Sequence, residues 1–218
     1  MSRETPVEGT SRPESPSENA RDRPSRYELP QDIRPMSNAR LGILVLLGAE
    51  MMLFSGLIGA FLVFRMGNIT WPPPSHIDIQ LPRAVTGINT AFLLLSGWTM
   101  FQALRAIQKD QVKQLRNWLL LTGALGVLFL GIQGSEWAQL IRSGMTLQSG
   151  VYGGIFYVLI GCHAVHVIGA VMWLVIVLVM AMAGRFSASR HVGVEICTIY
   201  WIFVVALWPM LYALVYLA

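Results

Sequence analysis

Across 218 residues, hydrophobic side chains make up 54% and charged ones only 13%, well below the roughly 25% charged content of a globular domain. The formal net charge is +4, but the basic residues sit in short stretches between apolar runs, where they set membrane topology and do not build a nucleic-acid surface. Composition therefore excludes an ordinary soluble domain and predicts an all-α membrane protein. Cys162 and Cys197 both fall inside apolar runs, so they read as small buried side chains and support neither a disulfide nor a thiolate metal site.

The chain begins with a polar segment, residues 1–38. Seven arginines lie at or before Arg40, and seven acids lie before residue 33. The segment has no apolar core of the kind a secretory signal needs, and it is too acidic for a mitochondrial transit peptide. It cannot bury enough apolar surface to offset its ordering entropy, so it is expected to be disordered. These features favour a bacterial inner membrane. Residues 39–218 are then predicted to form a single transmembrane domain.

A spanning helix needs about 20 mostly apolar residues. Five runs satisfy this, at about 41–64, 84–106, 116–141, 151–183 and 194–217. The fourth exceeds what a bilayer requires and is expected to tilt or project. Trp71-Pro72-Pro73-Pro74, after the first run, predicts a stiff extended loop near the interface. Arg105, Lys109, Lys113 and Arg116 fall between the second and third runs, and Arg185 and Arg190 between the fourth and fifth. Only Arg65, Arg83 and Arg142 flank the opposite side. The positive-inside rule then predicts a cytoplasmic N-terminus and an external C-terminus.

Ionisable groups within the runs are few, and each needs a reason. Glu50 lies near the middle of the first run. It reads either as a proton-carrying or lipid-gating carboxyl or as a buried acid bonded to a neighbouring helix. Ser55 with Gly59 and Gly56 with Ala60 form small-xxx-small pairs, which predict close packing of this helix on another. Gln133 and Glu136 share a face of the third helix with Thr122, Gly126 and Phe129. His163 and His166 share a face of the fourth with Ala170 and Trp173. A carboxylate on the third helix and histidines on the fourth can pair structurally or relay protons. Glu195 lies near the cytoplasmic end of the last helix, and Pro209 is expected to kink it.

A bis-histidine haem in a bundle takes ligands from opposing helices, whereas His163 and His166 lie on one helix and His76 and His191 fall in loops. A copper or di-metal site would need more ligands at suitable spacing. No redox centre is therefore expected in this chain.

Taken in order, these segments resemble subunit III of the haem–copper respiratory oxidases in its five-helix bacterial form. GAEMMLFSGLIGAF, WPPP, LPRAVTGINTAFLLLSGWTM and LGVLFLGIQGSEW each match a family stretch. The most specific is GVYGGIFYVLIGCHAVHVIGAVMWL, with Gly153, Phe156, Gly161, His163, His166, Val167 and Gly169 in register. The last helix departs from the pattern: the family's usual His and Asp are Ile202 and Val205 here, which marks a divergent branch.

The resemblance implies an accessory subunit of a proton-translocating terminal oxidase, packed against subunit I alongside subunit II and fed by cytochrome c or a quinol. It implies haem and copper in the partner subunits and phospholipid bound between helices. Glu50 then matches the family's intramembrane acid, and Gln133, Glu136, His163, His166 and Glu195 form its interhelical polar network. Two other readings stand beside it. One is a subunit III-like partner of a nitric oxide reductase; the other is a small proton-linked transporter.

Overall fold

A computed structural model describes residues 38–67, 83–144, 146 and 150–217. The polar tail and the loop holding Trp71-Pro72-Pro73-Pro74 and His76 lie outside the described residues. Five long helices account for nearly everything described: α1 Asn38–Met66, α2 Arg83–Gln108, α3 Val112–Arg142, α4 Val151–Met182 and α5 Val192–Tyr212. A π-helical turn, Ala213–Leu217, extends α5. All five helices are long and apolar enough to cross a membrane, so this is a multi-pass membrane bundle. Lipid offers the backbone no hydrogen-bond partners, which is why such apolar runs close their peptide groups as helices.

Observed ends fall within a few residues of those predicted, except that α3 begins at Val112 instead of 116. The turn before it explains the shift. Asp110 takes φ 58°, its N–H bonds to Ile107 O at 3.0 Å, and the Gln111 N–H bonds to Ala106 O at 2.9 Å. This is a Schellman ending, tight enough for the next helix to start at once. Gly184 ends α4 in the same way, at φ 70°, with Arg185 N–H on Met180 O at 3.0 Å. The Ala188 N–H then donates to Asp110 Oδ1 at 3.0 Å, tying the α4–α5 loop to the α2–α3 turn.

Helices α2, α3, α4 and α5 each touch two neighbours and close a four-helix ring, and α1 lies outside it against α4 and α5. On α3 the buried residues are Leu115, Leu119, Thr122, Gly126, Phe129, Gln133, Glu136 and Leu140. They alternate steps of four and three, the seam of left-handed helix packing. On α4, Phe156, Ile160, His163, Val167, Ala170, Leu174, Val177 and Ala181 repeat the pattern. Between them α5 contributes Trp201 and Trp208, the two largest fully buried side chains.

The small residues of α1 make no close helix contact within this chain. Phe54, Ile58 and Phe61 turn inward, whereas Ser55, Gly56 and Ala60 are exposed. A Cβ added at Gly56 or Gly59 would meet nothing within 4 Å. A helix outside the ring buries only one stripe, and these residues lie off it. Close approach occurs instead at Gly97, where an added Cβ would come within 3.2 Å of Val205, and at Gly126, where it would come within 2.7 Å of Trp201. Val205 thus sits buried against α2 with an apolar neighbour, and Ile202 is partly exposed at 38%.

At the end that gathers the helix starts of α1 and α5, Arg40 Nη2 and Glu195 Oε2 pair at 2.8 Å. The pair is largely exposed, and exposed pairs contribute about 0–1 kcal/mol. Glu195→Gln is therefore expected to leave the melting temperature of the purified protein nearly unchanged, with any loss disappearing in high salt.

Candidate functional site

Buried polar groups collect in two clusters, and helix packing decides which groups meet. The first joins α2, α3 and the end of the chain. The Thr86 hydroxyl donates to Glu136, 3.0 Å from Oε1 and 2.9 Å from Oε2. Gln133 Nε2 donates to Glu136 Oε2 at 3.1 Å and lies 3.4 Å from the Tyr216 hydroxyl. Glu136 is only 3% exposed and Thr86 is fully buried. Thr90 bonds back to the Thr86 carbonyl at 2.8 Å and accepts from Trp208 Nε1 at 2.9 Å. Asn89 Nδ2 donates to Phe129 O at 3.2 Å. The carboxylate is thus held by donors from both sides, the condition under which a buried acid is tolerated.

The second cluster lies where α1 meets α4 and α5. The Tyr200 hydroxyl donates to Glu50 Oε1 at 3.3 Å, and His166 Nε2 faces the same oxygen at 3.8 Å. His166 Nδ1 is 2.7 Å from Cys162 O. A carbonyl only accepts, so Nδ1 carries the hydrogen, and the ring is held with Nε2 toward Glu50. Phe54 packs edge-on to His166 at 5.1 Å, shielding the pair.

The expected pairing of Glu136 with the histidines of α4 is therefore corrected. Glu136 bonds Thr86 and Gln133, and the acid facing His166 is Glu50. The histidines share one neighbour, Phe54 of α1, whose ring lies 6.4 Å from His163 and 5.1 Å from His166, but their remaining contacts diverge. His163, 1% exposed, lies in the buried seam of α4 and stacks on Trp208 with centroids 5.0 Å apart. His166 and Trp173 sit off that seam, only partly buried. Trp173 packs on Tyr200 at 5.5 Å. Glu195 belongs to neither cluster and pairs with Arg40 at the helix ends.

Thr86, Tyr200, Trp208 and Tyr216 were not singled out from sequence. Thr86 had a usable signal, since it lies four residues before Thr90 on the same helical face. The two tyrosines had none, because their partners come from other helices.

Among the described residues, no three His, Cys, Asp or Glu side chains come together as a metal-holding group. Cys162 and Cys197 are free thiols, and Cys197 is part of the apolar core. The clusters can hold protons and hydrogen bonds.

Fold and site together define a multi-pass helical membrane protein whose polar groups bond one another across helix interfaces. The family model for cytochrome c oxidase subunit III matches residues 31–218, and the chain belongs to that family. It is 36% identical over 179 residues to a cytochrome c oxidase subunit 3 of Thermostichus vulcanus, covering 81% of this chain and 86% of the relative. A cytochrome c oxidase subunit 3 of Synechocystis is 33% identical over 177 residues, covering 81% and 74%. One of Salmo salar is 34% identical over 182 residues, covering 81% and 68%. The chain is accordingly a subunit III of a haem–copper oxidase.

Proposed function

We propose that this chain is the accessory, non-redox subunit of a proton-translocating terminal oxidase. It packs on subunit I beside subunit II, binds phospholipid between its helices and supports proton uptake, while haem and copper reside in the partner subunits. The observation that carries the reading is the family match over the entire helical region. Two features support it. The described residues offer no grouped metal ligands. The surface is rich in exposed apolar side chains such as Leu41, Val45, Met52 and Val63 along α1, suited to lipid and to neighbouring membrane subunits.

The chain lies in a bacterial plasma membrane with its N-terminus cytoplasmic. The gathering of Arg40, the α2–α3 turn and the α4–α5 loop at one end supports that orientation through the positive-inside rule. Glu50 is the intramembrane acid of this subunit, held by Tyr200 and His166.

The chain, tagged and purified in mild detergent, is expected to bring down a haem-containing subunit I and to consume oxygen with cytochrome c or a quinol. Ile202 and Val205, where the family has His and Asp, favour testing nitric oxide reduction on the same preparation. A complex that reduces nitric oxide and not oxygen moves the chain to a reductase. Recovery of the chain without any haem protein defeats the oxidase assignment and leaves proton-linked transport to be assayed.

A further inference from the structure

A crevice of about 180 Å³ opens between α3 and α4 and reaches Trp208 of α5. Most of its lining is apolar, with Leu130 and Ile168 among the side chains. Gly134 and Ile168, at its edge, are exposed on the outer face of the bundle. Three polar residues also line it: Gln133, Trp137 and His163. Six buried polar atoms of the described residues have no hydrogen-bond partner in the protein, and four of them belong to these three residues. They are His163 Nδ1, His163 Nε2, Gln133 Oε1 and Trp137 Nε1. Four such atoms on three residues that line one crevice point to partners outside the protein, since buried polar groups are otherwise paired by protein or by ordered water.

We propose that the α3–α4 crevice binds internal water, which joins Gln133 and Trp137 of α3 to His163 of α4. The chemistry of the lining selects the ligand. A neutral imidazole presents one donor and one acceptor, Trp137 Nε1 only donates and Gln133 Oε1 only accepts. Donors and acceptors are thus balanced. A cation would face two donors and an anion two acceptors, whereas water supplies both roles. A lipid acyl chain fits the apolar wall but satisfies none of the four atoms. Room is ample, because a water molecule takes about 30 Å³ in the liquid and needs two to four polar partners to stay in a protein. Purely apolar cavities stay dry; this one carries the polar atoms that hydration requires. The bound water extends the Thr86–Glu136–Gln133 chain to His163 and so hydrogen-bonds α3 to α4.

X-ray radiolysis of native membranes containing the full chain tests this, with oxidation of each residue read by mass spectrometry after mixing into ¹⁸O-water. Hydroxyl radicals formed from bound water attack the side chains beside it. His163 and Trp201 are equally buried at 1% exposure, and only His163 lines the crevice. His163 is expected to be oxidised several-fold faster than Trp201, although tryptophan is intrinsically the more reactive, and to carry the heavy oxygen. Ala164→Leu, which fills the crevice from α4, is expected to bring His163 down to the rate of Trp201. Wild-type His163 as slow as Trp201 means a dry or lipid-filled crevice and overturns the proposal. The reading is taken in membranes, so it stands or falls apart from the co-purification result.

Discussion

Gly126→Leu is expected to abolish accumulation of the folded chain. An added Cβ at Gly126 would lie 2.7 Å from Trp201 Cη2, 3.1 Å from its Cζ2 and 3.4 Å from Val171 Cγ2. Trp201 has no route of escape. It is 1% exposed, and its Nε1 donates to Ser96 Oγ at 3.2 Å on α2, so swinging the ring away breaks a buried hydrogen bond. Overpacking a well-filled core by a methyl group costs about 1–3 kcal/mol, which is the range expected for Gly126→Ala. Leucine adds three more carbons at a helix–helix contact that depends on close approach, and exceeds what a marginally stable bundle tolerates. Immunoblots of membranes should show little Gly126→Leu protein and reduced Gly126→Ala protein. Trp201→Phe, which removes the clashing edge of the indole, should partly restore Gly126→Ala. Gly131→Leu is the control, because nothing lies within 4 Å of a Cβ there, and it should behave as wild type. Normal levels of Gly126→Leu would mean that α3 and α5 do not pack as described.

That contact shows where the reading of the sequence stops. Helix positions were legible because a bilayer demands long apolar runs, and five such runs stand out against polar connections. The packing face of α3 was legible too, since Thr122, Gly126, Phe129, Gln133 and Glu136 recur at helical spacing, and the structure buries all five. Neighbours were harder to read. In water, apolar residues mark the interior; in lipid, the outer face is as apolar as the core, so pattern alone does not separate the two. The small residues of α1 pointed to close packing on another helix without saying which, and no helix of this chain approaches Gly56 or Gly59, while Gly126 of α3 lies tight against Trp201.

The histidines show a second limit. At about 100° per residue, positions three apart on an α-helix differ by about 60° in direction. That is close enough to count as one face and wide enough to aim at different helices. Both touch Phe54 of α1, but His163 stacks on Trp208 and lines the α3–α4 crevice, while His166 faces Glu50. Which acid meets which histidine follows from the order of helices in space. With α1 docked outside the ring against α4 and α5, Glu50 reaches His166 across more than a hundred residues of chain, and Glu136 is left to bond with α2.

Glu136→Leu is expected to be the most damaging of the polar substitutions. It takes both carboxylate oxygens away from the fully buried Thr86 hydroxyl, and it leaves the Gln133 Nε2 donor with only the 3.4 Å contact to Tyr216. A buried donor left without a partner costs about 1–3 kcal/mol. Measured interhelical hydrogen bonds in membranes average nearer 0.6 kcal/mol, because unfolded helices in lipid also find partners. The loss should therefore fall at about 1–3 kcal/mol, seen as a lower melting temperature of the purified complex and as earlier release of this subunit in detergent. Glu136→Gln should be mild, for a reason visible at Gln133. The Oε1 of Gln133 has no partner within the protein, so its amide can flip to accept from the new amide, turning its NH2 to the crevice, while Thr86 still donates to the new carbonyl. Thr86→Val combined with Glu136→Leu removes donor and acceptor together, and such paired removal can be nearly neutral. The double variant should then be no less stable than Glu136→Leu alone. Strictly additive losses would show that Thr86 and Glu136 act independently and that the carboxylate is held by some other group.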